Sequence, residues 1–205
     1  MDDQQKKEIM GLMEGLKKIN YVKPSEIPNI ELYMDQVTTF MDKYLESSKR
    51  YTEDKLLTKT MINNYTKNNL LPSPNKKKYS KDHMYLLIFI YYMKNILSIS
   101  DIQSILGPLT KNFFGESSKI KLEDIYQEVF AVGEKQAMTL SKEVVKMFEK
   151  SKTAFSGLGG KGNEDFLQIF SFVCMLCFDV YMKKQLIEKI IDDNFTLPKE
   201  DKKAK

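Results

Sequence analysis

Apolar residues recur at helical spacing along most of the chain. Ile9, Leu12, Met13, Leu16 and Ile19 predict a helix over residues 3–19. Pro24 and Pro28 then interrupt the pattern. Leu32, Val37, Phe40, Met41 and Tyr44 predict a second amphipathic helix over 30–45, and the polar run 46–54 reads as a loop. A short helix over 58–68 comes next, with Thr58 as N-cap because its hydroxyl can accept a free backbone N–H. One stripe of that helix is apolar (Leu57, Met61, Ile62, Tyr65). The opposite stripe is polar (Thr60, Asn63, Asn64, Lys67). Leu70-Leu71-Pro72-Ser73-Pro74 ends the helix, and 75–80 reads as the tip and return of a small β-hairpin. Another helix is expected over 81–97. A shorter one over 99–106 is capped by Ser98 with Asp101 in a capping-box position and stopped by Gly107-Pro108.

The last third has a different pattern. Leu122, Ile125, Val129, Gln136, Leu140, Val144 and Met147 mark a long helix with a near-heptad stripe. A glycine-rich stretch at 156–163 breaks it, a final helix is expected over 164–193, and the charged tail 197–205 reads as frayed. There is no internal repeat. The expected fold class is all-α with a small β-hairpin, divided into an N-terminal helix (1–23), a first domain (24–110), a helical domain for dimerisation, effector sensing or both (111–195), and the tail (196–205).

Composition narrows the function classes. In 205 residues, 42% are hydrophobic and 29% charged, an ordinary globular balance. Two cysteines exclude a disulfide framework, and one histidine excludes most zinc sites and any two-histidine catalytic scheme. The first eight residues hold no apolar run, so no secretory signal is expected there. The net charge of +4 is unevenly spread. Between Lys49 and His83, nine basic residues face three acidic ones, Glu53, Asp54 and Asp82. A local positive field in a nearly neutral protein points to a polyanion-binding face, although a merely solvated surface has the same signature. Arg50 is the sole arginine.

The stretch from Thr58 to Ser80 carries the candidate chemistry. A short amphipathic helix, a Leu-Leu-Pro exit and a basic hairpin together make a winged helix-turn-helix. The apolar stripe would anchor the helix, the polar stripe would face the major groove, and Lys76, Lys77 and Lys78 would grip phosphate. Ile62-Asn63-Asn64-Tyr65, Leu70-Leu71-Pro72 and Lys77-Lys78-Tyr79-Ser80 resemble, in order, the recognition segment, exit and wing end of the mercury-resistance (MerR) regulator family. Residues 98–106 resemble the short helix that completes that family's domain. The likeness covers Leu57 to Leu106, about a quarter of the chain. The whole chain resembles more closely an uncharacterised domain-of-unknown-function family of low-GC Gram-positive bacteria, described as MerR-like. The resemblance departs from the MerR pattern at Asn63, where that family has a phosphate-contacting arginine, at Asn64, where it has a DNA-contacting tyrosine, and in the long loop 46–56.

The resemblance implies a transcriptional regulator that binds double-stranded DNA, and the near-heptad stripe from Leu122 to Met147 with the over-apolar run Phe166–Met182 predicts a homodimer through the C-terminal helices. The DNA contacts would come from Thr58, Lys59, Thr60, Asn63, Asn64, Lys67, Lys76, Lys77, Lys78 and Tyr79. With no arginine on the short helix and two adjacent asparagines, an A/T-rich site is expected. A helical adaptor that uses the same fold for protein contacts is the alternative.

Other motifs read as structural. Gly157-Leu-Gly159-Gly-Lys-Gly162 matches G-x-G-x-x-G but follows a helix rather than a strand, so a flexible connection is expected. Cys174 and Cys177 lie within an apolar helix rather than at its N-terminus, which predicts two buried core thiols. The 17-residue apolar run Phe166–Met182 is interrupted by Gln168, Ser171 and Asp179, which favours burial in a bundle or dimer core over a membrane span. His83 is assigned no role. No nucleophile–base pair stands out by spacing. The expectation is therefore a cytoplasmic, non-enzymatic protein without cofactor or metal, open to a small-molecule effector and not bound to membrane.

Overall fold

A computed structural model describes residues 3–16, 21–115, 119–155 and 161–195. The glycine-rich residues 156–160, the expected end of the first helix (17–20) and the tail 196–205 lie outside the described residues. The protein is mostly helical (71%) with one small two-stranded antiparallel sheet. In chain order the elements are α1 (Asp3–Leu16), β1 (Leu32–Tyr33), α2 (Met34–Tyr44), α3 (Lys59–Lys67), β2 (Lys78–Tyr79), α4 (Lys81–Met93), α5 (Ile99–Phe113), α6 (Leu122–Ser151) and α7 (Lys161–Asn194). Two compact units result: residues 22–128 with 186–205, and residues 1–21 with 129–185.

The 22–128 unit is built around α4. Nine consecutive residues, His83 to Tyr91, are buried, so this helix is enclosed on every side, as its continuous apolar run requires. Val37, Phe40 and Met41 of α2, Ile62 and Tyr65 of α3, Ile102 and Leu106 of α5, and Leu122 and Tyr126 of α6 are buried with it. The Tyr126 ring lies 4.7 Å from that of Tyr85 and 5.5 Å from that of Phe89. The Tyr126 hydroxyl donates to the Val22 carbonyl at 2.6 Å, which ties the unit's first residue to the start of α6.

Several boundaries differ from the expected ones. The second helix starts at Met34 rather than near residue 30, because Leu32–Tyr33 is drawn into the sheet. Leu32 pairs with Tyr79 and Tyr33 with Lys78. The hairpin at 75–80 is therefore only part of the sheet, whose longer-range pairing joins β2 to a strand more than forty residues earlier. α4 ends at Met93, where the Ile96 and Leu97 amides both turn back onto the Met93 carbonyl at 2.9 Å. Gly107-Pro108 does not stop α5, which continues to Phe113. A proline withdraws one donor from a helix. Here Ile102 and Leu106 are buried in the preceding turns, and the Phe114 N–H bonds Thr110 C=O beyond the proline.

The second unit holds α1 and most of α6 and α7. Its core is small: Val144, Phe148 and Phe172 are buried, with Ile9, Leu140 and Leu176 packed against them. Phe148 and Phe172 meet at 5.3 Å. Gln168 is buried and donates to the Lys152 carbonyl at 2.9 Å. The near-heptad stripe of α6 does not stay on one covered side: Leu122 and Val144 are buried, whereas Val129 and Gln136 are exposed. Leu122 belongs to the α4-centred unit and Val144 to the core of the second, so the two buried ends of the stripe are covered by different neighbours.

Candidate nucleic-acid interface

α3 is nine residues long, too short to be stable alone, so its ends and underside decide whether it forms. At the N-terminus, the Thr58 hydroxyl accepts from the Met61 N–H at 3.1 Å, as the sequence suggested. At the C-terminus, Asn69 takes a left-handed conformation (φ 55°). The Leu70 N–H then bonds Tyr65 C=O at 2.8 Å and the Asn69 N–H bonds Thr66 C=O at 3.1 Å. This paired closure satisfies carbonyls that would otherwise lack partners. Underneath, Ile62 and Tyr65 are buried. Met61, expected on the apolar stripe, is 36% exposed instead.

The loop before α3 is ordered by its own groups. The Asp54 carboxylate accepts from the Arg50 N–H at 3.1 Å and the Tyr51 N–H at 3.0 Å. Lys94 of the α4 C-terminus donates to the Leu56 carbonyl at 2.6 Å, and burial holds that ammonium's pKa below its ordinary value. Leu56 and Leu57 are buried. The long 46–56 connection therefore seats α3 firmly.

The face turned away from the core carries Lys59, Thr60, Asn63, Asn64 and Lys67, all exposed, with Thr58 half-buried at its edge. Lys59 is not a free cation, since it is ion-paired with Asp35 at the start of α2. The sequence pattern did not signal that pairing, because the partners lie on different helices. Beside it, a cleft of about 590 Å³ is lined by Thr38, Asp42, Lys43, Glu46, Lys55 and Lys59.

The basic hairpin turns tightly. The Lys78 N–H bonds Asn75 C=O at 2.8 Å, and the two residues between, Lys76 (φ 47°) and Lys77 (φ 65°), are both left-handed. This is the backbone of a two-residue hairpin loop that ordinarily favours Asn-Gly. Lys76 and Lys77 are exposed, while Lys78 is half-buried with its ammonium 5.6 Å from the centre of the Tyr33 ring. Tyr79, expected among the contact residues, is only 3% exposed. Its ring meets the edge of His83 at 5.4 Å, and burial raises its pKa. Because its side chain points to the core, Tyr79 supports the hairpin rather than presenting itself to a ligand.

His83 has a structural role that the sequence left open. Its Nδ1 accepts from the Ser80 N–H at 3.0 Å, closing the first turn of α4. Phe114 meets its ring at 4.8 Å on another side. Burial lowers its pKa, so it is held neutral. α2 contacts both α3 and β2, so one helix braces the exposed polar face and the basic hairpin alike.

The cysteine pair departs from expectation. Cys174 is half-buried and Cys177 is exposed, and both are free thiols. Cys177 lies on the side of α7 away from Phe172, so it does not reach the core.

No curated protein matches the chain, and no solved structure does. The family model described as Domain of unknown function (DUF1836) matches residues 22–129, more than half of the chain and nearly the whole of the α4-centred unit just described, and the chain belongs to that family.

Proposed function

We infer that the 22–128 unit is a double-stranded DNA-binding module of the winged helix-turn-helix kind, like that of the mercury-resistance regulators. On this reading the protein is a transcriptional regulator acting at an A/T-rich site. The observation that carries it is the division of α3, with Ile62 and Tyr65 buried and Lys59, Thr60, Asn63, Asn64 and Lys67 exposed on a helix fixed at both ends. Asparagine offers one donor and one acceptor on a planar amide, matching adenine N6 and N7 in the major groove. The wing supports the same reading. Lysines at both left-handed positions place two charges at a tip where Asn-Gly would be more stable, which serves a phosphate contact better than it serves the turn. Lys78, partly covered by Tyr33, contributes less.

The protein-adaptor reading is favoured by one observation. Asp35 pairs with Lys59, and Asp42 and Glu46 line the adjoining cleft, so the field beside α3 is mixed.

Selection from a randomised duplex pool, followed by fluorescence anisotropy at several salt concentrations, separates the two. DNA binding predicts an A/T-rich consensus in inverted half-sites. Asn63→Ala or Asn64→Ala should lose about 1–3 kcal/mol and relax one base position. Lys76→Ala and Lys77→Ala should weaken binding to all sequences and reduce the salt slope by about one unit per contact. A consensus dominated by G·C pairs, or no enrichment, would sink this reading.

A further inference from the structure

We propose that the outer face of α7 is a self-association seam on which a second copy of this chain docks, its α7 running antiparallel to the first. The proposal stands independently of DNA binding. One side of α7 carries Phe172 and Leu176 into the unit's own core. Another carries Phe166, Phe170, Val173, Cys177 and Val180 at alternating spacings of four and three residues, with Tyr181 beside them. Phe178 and Met182 are exposed outside both, without that repeat. Phe166 is 66% exposed, Phe170 52%, Val173 49%, Val180 59% and Tyr181 60%. A seam repeating every 3.5 residues is the pattern by which one helix receives another.

The area suits a copy of the same surface. Side chains of these sizes, about half uncovered, expose roughly 500 Å². Covered by an equal area from a partner, that becomes roughly 1,000 Å² in total, where specific interfaces begin.

Charge selects the occupant and its direction. α7 carries four lysines against six carboxylates. An anionic bilayer surface would repel such a helix, whereas helices that lie on membranes are lysine- and arginine-rich. By length and composition α7 could cross a membrane. A buried Gln168 and the ion pair of Asp179 with Lys183 at 2.7 Å within the same segment fit a protein-facing helix better. The seam is flanked by Glu164 and Asp165 at one end and by Lys183 and Lys184 at the other. Antiparallel pairing brings the acidic end of each copy to the basic end of its partner and opposes the helix dipoles. Parallel pairing would instead place Lys184, the next seam position after Val180, against its own copy. Centring the antiparallel pair between Val173 and Cys174 sets Phe170 opposite Cys177 of the partner subunit, and Phe166 opposite the partner's Tyr181.

Light scattering on the full chain tests the seam, and cross-linking tests the direction. At micromolar concentration the wild type should weigh twice 23.9 kDa. Phe170→Glu and Val173→Glu should each return the monomer mass with unchanged circular dichroism, since both side chains are half-exposed in the single chain. In a Cys174→Ser background, Phe170→Cys should form an inter-chain disulfide with the partner's Cys177 when copper–phenanthroline is supplied as oxidant, whereas Cys177 alone should not. A wild-type monomer throughout that range, or a dimer that survives both glutamate variants, would overturn the seam. So would flotation of the wild type with phosphatidylglycerol vesicles that Phe170→Glu abolishes. Efficient cross-linking through Cys177 alone would overturn the antiparallel arrangement.

Discussion

α4 and α7 are both rich in large apolar side chains, yet α4 is enclosed from His83 to Tyr91 while the most apolar 18-residue window of α7 is only 11% buried. The difference lies in what surrounds each helix. Residues 22–128 supply α2, α3, α5 and the start of α6 around α4, and each contributes at least two buried side chains. The other unit offers α7 a core of three buried residues, which covers one side only. Hydrophobic composition states that burial is favourable, but cover must come from neighbours, and a helix that its own chain leaves half bare gains by taking cover from a partner.

The largest expected effect comes from creating the same cavity chemistry in both places. Leu87 and Ile90 are fully buried, so Leu87→Ala or Ile90→Ala should cost about 2–5 kcal/mol in chemical denaturation, cavity included. Phe170→Ala, measured in a monomeric Val173→Glu background, removes a half-exposed ring and should change stability by less than about 1 kcal/mol. Equal losses at the two sites would erase the contrast between the helices. Next in size is Tyr126→Phe. It leaves the Val22 carbonyl without its buried donor, a loss of about 1–3 kcal/mol, and should be read in the transition of the 22–128 unit.

How far these features could be read from the chain depended on how local their causes were. The cap of α3 by Thr58 and the Ser98–Asp101 box, where the Asp101 N–H bonds Ser98 Oγ at 3.1 Å, are contacts three residues apart, and the sequence displays them. β1 was not legible. A two-residue strand has no alternation to detect, and its partner at Lys78–Tyr79 is fixed only once α2 and α3 have folded between them. The exposed polar stripe of α3 followed from periodicity, whereas the inward turn of Tyr79 and the Lys59–Asp35 pair depended on tertiary neighbours. Cys177 shows the same limit from the other side. Its apolar surroundings were evident, but which side of α7 found a core was not.

The first turn of α4 supplies a pH test that the α7 unit lacks, because His83 is the chain's single histidine. Burial lowers its pKa in the fold, opposed by the backbone around Pro72 and Ser73 and by the Asp82 and Glu31 carboxylates. The unfolded chain therefore binds a proton more readily near the ordinary value of about 6.5. Stability should be fully present above that pH and decline as pH falls through it toward the folded-state value. Urea midpoints from pH 8 to pH 5 check the direction. His83→Gln, whose side chain can still accept from the Ser80 N–H, should remove this part of the slope. A midpoint that rises on acidification would show that the carboxylates, not burial, dominate.

The smallest expected effect has the opposite sign and lies at the tip of the hairpin, the least optimised point of the better-packed unit. Lys76 and Lys77 hold positive φ in a turn whose geometry favours Asn-Gly. A left-handed L-residue costs about 1–2 kcal/mol, but glycine returns part of that as added freedom in the unfolded chain. Lys76→Asn with Lys77→Gly should therefore gain only about 0.5–1 kcal/mol, and raise the midpoint of the 22–128 transition by a few degrees. The two lysines are exposed, so no packing is lost to obscure the gain. The same double variant removes two positive charges, so under the DNA reading it should bind duplex more weakly at every sequence and with a shallower salt dependence. A more stable protein with weaker binding is the signature of a turn whose residues serve a ligand at the expense of the fold. A more stable protein with unchanged binding would leave the strained lysines without that explanation, and a destabilised one would show that the turn does not hold the conformation described.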